Sequence, residues 1–369
     1  MNTHKNILLH LSLIDGVGPG IIQKIIAQKP KKLPWNDLYT FSLSDWIQFF
    51  IQEATAEKIV SGLQNNDWLV QEQSLLEKHQ ISWTTILDSD YPELLKHIHL
   101  PPSVLYWQGT LPSDDIKIIA IVGARKADQY GAHAIDLIVP SLVQYNITIV
   151  SGGALGADSM AHRATLDAGG ATIAVLGSGL LCPYPRENRR LFGRIVEQGG
   201  AVLSAFPLRT EPYPGNFPAR NRIIAGLSLG VIVVQAARKS GARITAQFAL
   251  EQGRDVFAIP GPIDNELSDG CHALVQEGAK LITGPGDVLQ EIGIPFEPDD
   301  GKRVKKRRGA IKLDDPMQER IVQSCVRPQS IDELANQLKL SLSELQTHLF
   351  DLQIAGLIEQ DFSGMWKLL

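Results

Sequence analysis

The stretch IIAIV at residues 118–122 runs directly into Gly123-Ala124-Arg125, and this pattern decides the fold. ITIV at 147–150 runs in the same way into Ser151-Gly152-Gly153, and TIAVL at 172–176 runs into Gly177-Ser178-Gly179. Unbroken apolar runs of this length are typical of strands buried on both faces of a parallel sheet. Because a helical pattern follows each glycine segment, the sequence predicts an α/β, Rossmann-like, doubly wound and mostly parallel sheet.

The same alternation continues along the chain. Four more strands are predicted at 201–206, 230–234, 255–259 and 280–282. Helical patterns lie between the strands, near 131–144, 157–168, 187–198, 218–228, 242–252 and 269–278. We therefore expect seven strands in a domain that begins near Ile116.

Proline clusters and shifts in composition divide the chain into four predicted parts. These are a helical N-terminal domain (1–110), the Rossmann-like domain (111–292), a basic linker (293–312) and a winged-helix domain (313–369). In the first part, the glycine-rich turn GVGPG at 16–20 separates two apolar helices, as in a helix-hairpin-helix or SAM-like domain. Its amides would contact nucleic-acid phosphates, but a purely structural turn is an equally good interpretation.

The linker contains six cations among the seven residues 302–308, which would attract phosphates regardless of base sequence. In the winged-helix domain the expected recognition helix, Ser341 to Ala355, contains Glu344 and Asp351 but no lysine or arginine. DNA reading in a groove usually requires cations there. The composition of the helix therefore favours protein contact or core packing over DNA reading.

The composition sets limits on function and location. The net charge of −5 argues against a protein that coats nucleic acid indiscriminately, so a polyanion would need a local patch. We find neither an apolar run long enough for a membrane span nor an export signal, and we expect a cytoplasmic protein without membrane contact. The three cysteines are far apart and predict neither disulfides nor a zinc site. We expect no metal and no cofactor.

The glycine segments predict an anion site. In open α/β sheets, ligands bind outside the carboxyl ends of the strands, where glycine lets backbone N–H groups approach a phosphate. Cations accompany these segments. The candidate phosphate ligands of the first two loops are Gly123, Arg125, Lys126, Ser151, Gly152, Gly153 and Gly156.

Asp158 and His162 follow one turn apart on one helix face. Such a pair permits acid–base chemistry. The favoured alternative is a carboxylate stabilised by the helix dipole and packed near a buried histidine.

Two later segments add aromatic and cationic groups. Phe217 precedes Arg220, Asn221 and Arg222 in the first turns of a helix, and an aromatic ring beside cations suits unpaired bases and their backbone. Core packing of Phe217 is the alternative. The segment Lys239-Ser240-Gly241 follows a strand, with Ser240 as a helix N-cap and Lys239 beside exposed helix amides. No phosphate-binding G-x-x-x-x-G-K-[ST] loop occurs in the sequence, which argues against a nucleotide triphosphatase.

Six segments stand in a fixed order along the chain. They are G-A-R-K at 123–126, S-G-G-A-L-G-A-D-S-M-A-H at 151–162, A-V-L-G-S-G-L at 174–180 with Y-P and N-R up to 189, F-P-A-R-N-R-I-I-A-G-L at 217–227, K-S-G-A-R-I-T-A at 239–246 and G-R-D-V-F-A-I-P-G at 253–261. In this order they resemble the DNA-processing protein A family, also called Smf. The resemblance spans the whole Rossmann-like domain, about half the chain.

The resemblance implies a non-catalytic protein that binds and protects single-stranded DNA during natural transformation. It also implies a homodimer that loads the RecA recombinase onto that strand. In the family, the arginine of the first glycine loop and the lysine before Ser-Gly line the DNA pocket, which implies these roles for Arg125 and Lys239.

This chain departs from the usual family pattern at three places: Ala124 replaces a serine, and Ala205 and Gln235 replace acidic residues. Loss of the two acids should make the pocket less negative.

Two other classes of function remain as alternatives. A nucleotide-binding or nucleotide-hydrolysing enzyme of the phosphoribohydrolase-like Rossmann class would carry a P-G-G-x-G-T-x-x-E segment, which this sequence lacks. A transcription regulator acting through the winged helix is disfavoured by the negative charge of its recognition helix.

Overall fold

The computed structural model forms two compact units, Met1–Phe296 and Glu297–Leu369. It describes residues 3–296, 315–325, 328–355, 357–360 and 364–368. The predicted basic run at 302–308 lies outside these ranges.

The first unit is built around one nine-stranded sheet, with strand order β1-β2-β6-β5-β4-β3-β7-β8-β9. Its strands are β1 (Ser82–Thr85), β2 (Val104–Gly109), β3 (Ile118–Val122), β4 (Thr148–Ser151), β5 (Thr172–Leu176), β6 (Ala201–Ser204), β7 (Gly230–Val233), β8 (Asp255–Ala258) and β9 (Lys280–Leu281). The seven strands expected from the sequence are all present. Strands β3 to β9 pair in parallel, which confirms the predicted fold class.

The strand order places a topological switch point at the centre of the sheet. From β3 the chain winds outward through β4, β5 and β6, and it then returns to β7 on the other side of β3. The two loops that leave β3 and β7 therefore diverge and open a crevice at the carboxyl edge. Ligands of open α/β sheets bind in such a crevice.

Two antiparallel strands extend the sheet beyond its expected start near Ile116. β2 pairs with β6, and β1 pairs with β2. Their sequences were not predicted as strands because prolines at 101–102 and the turn formers at 109–115 indicate a connection between domains. The sheet itself thus begins at Ser82, and the proposed domain boundary near residue 110 remains a prediction.

Helices cover both faces of the sheet. The helices of the sheet region are α6 (Glu93–Lys96), α7 (Gln129–Gln144), α8 (Ala157–Asp167), α9 (Arg189–Glu197), α10 (Asn216–Leu227), α11 (Gly241–Glu251), α12 (Asp269–Gln276) and α13 (Pro285–Glu291). Successive residues of β3 point to opposite faces, as the period of two in a strand requires. Ala120 and Val122 belong to one buried cluster, whereas Ile119 and Ile121 belong to the other.

The N-terminal residues form helices with a core of their own, centred on the fully buried Trp46. They are α1 (Thr3–Leu13), α2 (Pro19–Gln28), α3 (Leu43–Gln48), α4 (Glu53–Gln64) and α5 (Asn66–Lys78), with a 3-10 turn at Trp35–Thr40. Leu9 and Leu76 pack into a cluster that also contains sheet residues. The GVGPG turn lies between α1 and α2, with Gly18 as the N-cap of α2, and its proposed contact with phosphates remains a prediction.

The second unit has the order of a winged helix, as predicted. Helices α14 (Pro316–Ser324), α15 (Ile331–Leu338) and α16 (Leu342–Ile354) precede the antiparallel strands β10 (Ile358–Gln360) and β11 (Trp366–Leu368). On α16, Leu345, Leu349 and Leu352 are buried, while Glu344 and Asp351 are exposed. The proposed role of this helix in protein contact remains a prediction.

Among the residues described, we find no helix with the length and hydropathy needed to cross a lipid bilayer.

Candidate functional site

A groove of about 770 Å³ opens at the carboxyl edge of the sheet. Its walls come from the loops after β3 and β7 and from the first turns of α8, α10 and α11. This location is the switch point of the fold. Eight of the predicted site residues line it: Gly123, Arg125, Lys126, Phe217, Arg220, Asn221, Ser240 and Gly241.

Arg125 and Lys126 are exposed on the loop that leaves β3. Close backbone packing holds this loop against the neighbouring glycine loop, because Ala157 N donates to Ala124 O at 3.1 Å. Gly156 has a φ of 77°, and a Cβ built there would lie 2.3 Å from Ala124 O. Glycine at this position therefore lets the two loops approach each other and fixes where Arg125 stands.

Beneath the groove lies a buried ion pair between Arg220 on α10 and Asp158 on α8. The Nη1 atom of Arg220 is 3.7 Å from Oδ2 of Asp158, and each side chain is 7% exposed. Burial raises the pKa of Asp158, while the charge of Arg220 and N–H groups of the glycine loop oppose that rise. Burial likewise lowers the pKa of Arg220, although a guanidinium stays protonated in proteins.

One hydrogen-bond donor of Arg220 is not used by the protein residues described. Its Nε atom has no protein hydrogen-bond partner among the described residues. A buried donor without a partner is costly. Gly152 lies directly under the guanidinium, because a Cβ at that position would be 1.2 Å from Nη1.

The ring of Phe217 lies close to two guanidinium groups. The Cζ atom of Arg125 is 5.8 Å from the ring centroid, and that of Arg220 is 5.7 Å from it. Both distances are within the range of a cation–π interaction. The ring is half-buried, and a Cβ at Gly177 would be 3.0 Å from it, so Phe217 both packs on the loop after β5 and forms the wall of the groove.

Lys239 is exposed and lines a second depression of about 560 Å³ rather than the groove itself. That depression shares Ser240 and Gly241 with the groove. Ser240 is the N-cap of α11, as predicted, and accepts from Arg243 N at 3.4 Å. Asn221 Nδ2 donates to Gly241 O at 3.3 Å and joins α10 to this loop.

Three predicted residues make structural contacts away from the groove. The Ser151 hydroxyl is buried and donates to Ile121 O at 2.6 Å. A Cβ at Gly153 would meet the ring of Phe192 at 2.7 Å. The guanidinium of Arg222 lies over the ring of Phe248, with Cζ 4.9 Å from its centroid.

His162 has a structural position and does not form an acid–base pair with Asp158. Its ring is fully buried, and Nδ1 is 2.7 Å from the hydroxyl of Thr172. That hydroxyl donates to Ile149 O, so Nδ1 of the histidine is the donor in their contact. Burial, helped by Arg220 and Arg163, lowers the pKa of His162 to about 3, and the ring is neutral at physiological pH.

Two residues of the site were not among the candidates from the sequence. Tyr184 lines the groove, is 42% exposed and makes an edge contact with Phe217 at a centroid distance of 6.0 Å. Asn188 is buried, and its Nδ2 donates to Gly153 O at 2.9 Å and to Ala154 O at 3.2 Å. The only sequence signal for either residue is the Y-P and N-R segment quoted above, which carries no glycine or strand pattern.

In the described parts of the chain, no cluster of three or more histidine, cysteine or acidic side chains has the arrangement of a metal site.

The fold and the groove together define a Rossmann-like protein with a cation-lined, aromatic-walled crevice at the switch point of its sheet. The model of the DNA recombination-mediator protein A family matches residues 82–293, and that of the DprA winged helix domain matches residues 324–361. The chain belongs to the DNA recombination-mediator protein A family, which confirms the resemblance noted from the sequence.

Named relatives support this assignment. Protein Smf of Escherichia coli (strain K12) is 40% identical over 285 residues, which are 76% of this chain and 76% of the relative. The DNA processing protein DprA of Streptococcus pneumoniae is 47% identical over 208 residues, 56% of this chain and 73% of the relative.

Two solved structures share the fold. The X-ray structure of DNA processing protein A from Streptococcus pneumoniae superposes with a TM-score of 0.65 at 36% identity, covering 79% of this chain and 99% of that one. DNA processing protein A from Helicobacter pylori, described for its single-stranded DNA binding mode, gives a TM-score of 0.52 at 29% identity. The match covers 58% of this chain and 95% of that chain.

Proposed function

We propose that this protein binds single-stranded DNA independently of base sequence, in the groove at the switch point, and that it does so without catalysing a reaction. The observation that carries the proposal is that the guanidinium groups of Arg125 and Arg220 both lie within cation–π distance of the ring of Phe217 on the wall of the groove. Cations for phosphates thus stand beside an aromatic side chain that can contact a base.

The charge of the groove supports an anionic ligand although the whole chain is acidic. Three cations line the groove (Arg125, Lys126 and Arg220) against one carboxylate, Asp158. That carboxylate is already paired with Arg220. Arg125 and Lys126 therefore remain available to neutralise phosphates, and Lys239 adds a further exposed cation beside the groove.

The aromatic wall supports an unpaired strand over a duplex. A base can stack on Phe217 or Tyr184 only if it is free of its own neighbours in a helix. The alternative of a nucleotide-hydrolysing enzyme has less support. His162, the nearest candidate for a general base, is buried and hydrogen-bonded to Thr172.

Further parts of the proposal rest on the family. We propose that the protein forms a homodimer, acts in the cytoplasm and loads the RecA recombinase on DNA taken up in natural transformation. The named relatives include DNA processing proteins, and one solved neighbour is described as binding single-stranded DNA.

Titration of labelled oligonucleotides tests the proposed function. We expect an oligothymidylate to bind at least about tenfold more tightly than a blunt duplex of equal length, because each base stacked on an aromatic ring contributes about 1–3 kcal/mol that a duplex cannot supply. Fluorescence anisotropy at one fixed salt concentration provides the measurement. Equal affinity for the duplex, or hydrolysis of a mononucleotide by the protein, would contradict the proposal.

A further inference from the structure

Gln235 follows β7 and is 1% exposed, although its side chain is polar. Its Oε1 accepts from the backbone N–H of Asp128 at 3.1 Å, and its Nε2 donates to Asp128 Oδ1 at 2.9 Å. The buried amide is thus held at two points by the last residue of the loop that carries Arg125 and Lys126.

Asp128 transmits this contact to the start of α7. Its Oδ1 also accepts from Gly131 N at 3.1 Å, which makes Asp128 the N-cap of the helix, and its Oδ2 accepts from Asn265 Nδ2 at 3.1 Å. Gly131 leaves room for the amide, since a Cβ there would lie 2.5 Å from Gln235 Oε1. The loop between β3 and α7 is therefore anchored at its far end by Gln235.

An amide satisfies both of these groups at once. The backbone N–H of Asp128 requires an acceptor, whereas its carboxylate requires a donor, and glutamine supplies both. Burial alone would raise the pKa of Asp128, but the hydrogen bonds from Gly131 N, Gln235 and Asn265 outweigh it and lower that pKa. Asp128 is therefore ionised at neutral pH, and a glutamate at position 235 would face it as a like charge.

We propose that Gln235 and Asp128 form a clamp that positions the Arg125–Lys126 loop for DNA, and that Gln235 is a positioning residue of this site. This inference rests on the proposed function. The family often has an acidic residue at position 235, and the clamp gives the glutamine of this chain a second role. Besides removing a negative charge, the amide provides the donor that Asp128 needs.

Two variants separate this clamp from a simple effect of charge. Gln235→Met keeps the size and the net charge but removes both hydrogen bonds, and we expect it to weaken binding of a labelled oligothymidylate by about tenfold. Gln129→Glu is the matched control, because it adds a carboxylate one residue from Asp128 on the exposed start of α7 and leaves the clamp intact. We expect the control to change affinity by less than about threefold.

A pH profile gives the second readout. In Gln235→Glu, two carboxylates share the site, so affinity should be low at pH 8 and recover as one of them binds a proton, roughly between pH 5 and 7. Gln235→Glu combined with Asp128→Asn leaves a single carboxylate in the site, so this recovery of affinity between about pH 5 and 7 should disappear. The other titratable groups nearby are Lys126, Tyr130, Cys271 and His272, and each affinity is therefore taken as a ratio to wild type at the same pH.

Two results together would overturn the clamp. Gln235→Met would bind DNA as tightly as wild type, and Gln235→Glu and Gln129→Glu would weaken DNA binding equally at every pH. Failure of the proposed function would look different. In that case wild type itself would not prefer the single strand, and Arg125→Ala in the same titration would have no effect.

Discussion

Replacement of Asp158 by alanine is expected to lower the free energy of unfolding by about 3 kcal/mol. The variant leaves the guanidinium of Arg220 buried without its carboxylate, and removal of one partner of a buried ion pair costs about 3–5 kcal/mol. We take the lower end because the pair is separated by 3.7 Å. Urea denaturation followed by circular dichroism measures the change.

The matched control is Asp167→Ala, which breaks the exposed ion pair with Arg194. That pair is shorter, at 3.0 Å, but its side chains are 67% and 43% exposed. Exposed pairs contribute about 0–1 kcal/mol, so the control should be nearly neutral. Equal losses for the two variants would show that burial of the Asp158–Arg220 pair has no energetic consequence.

The second large effect is expected for Gly152→Ala. An added Cβ would lie 1.2 Å from Nη1 of Arg220 and 2.7 Å from Asp158 Oδ2, so the guanidinium must leave its position. We expect a loss of about 2–3 kcal/mol in stability from overpacking. Affinity for single-stranded DNA should fall by about 100-fold, because a charge-assisted phosphate contact and the platform beside Phe217 are lost together.

Gly193→Ala is the matched control for this substitution. Gly193 lies in α9, and a Cβ there meets no atom within 4 Å. Alanine is the better helix former, so stability should rise by about 0.5–1 kcal/mol with no change in DNA affinity. If a folded Gly152→Ala protein bound DNA as wild type does, Arg220 would not be part of the DNA-binding site.

The sequence predicted the parallel part of the fold because buried parallel strands have a local signature. Strands β3, β4, β5 and β7 are short apolar runs that stop at glycine or polar residues. β1 and β2 lack this signature. They pair antiparallel at one edge, and β2 follows two prolines, so the local pattern predicts a connection.

The site was predictable where a residue follows a strand directly and unpredictable where its role depends on distant partners. Arg125 lies on the loop directly after β3, and Lys239 immediately precedes the N-cap of α11, so both could be chosen from the local pattern. The burial of Arg220 against Asp158, 62 residues earlier, depends on how α8 and α10 pack. Arg220 and Arg222 could have been distinguished, because residues two apart on a helix differ by roughly 200° in direction and cannot share one groove.

A salt titration of single-stranded DNA binding tests most directly whether the cations of neighbouring loops act on one strand. The logarithm of affinity should fall linearly with the logarithm of salt concentration, with a slope that depends on the number of neutralised phosphates. Arg125→Ala and Lys239→Ala should each reduce that slope by about 0.7 and the double variant by about 1.4, whereas Lys78→Ala on α5 should leave it unchanged. Slopes equal to wild type for both single variants would contradict the account.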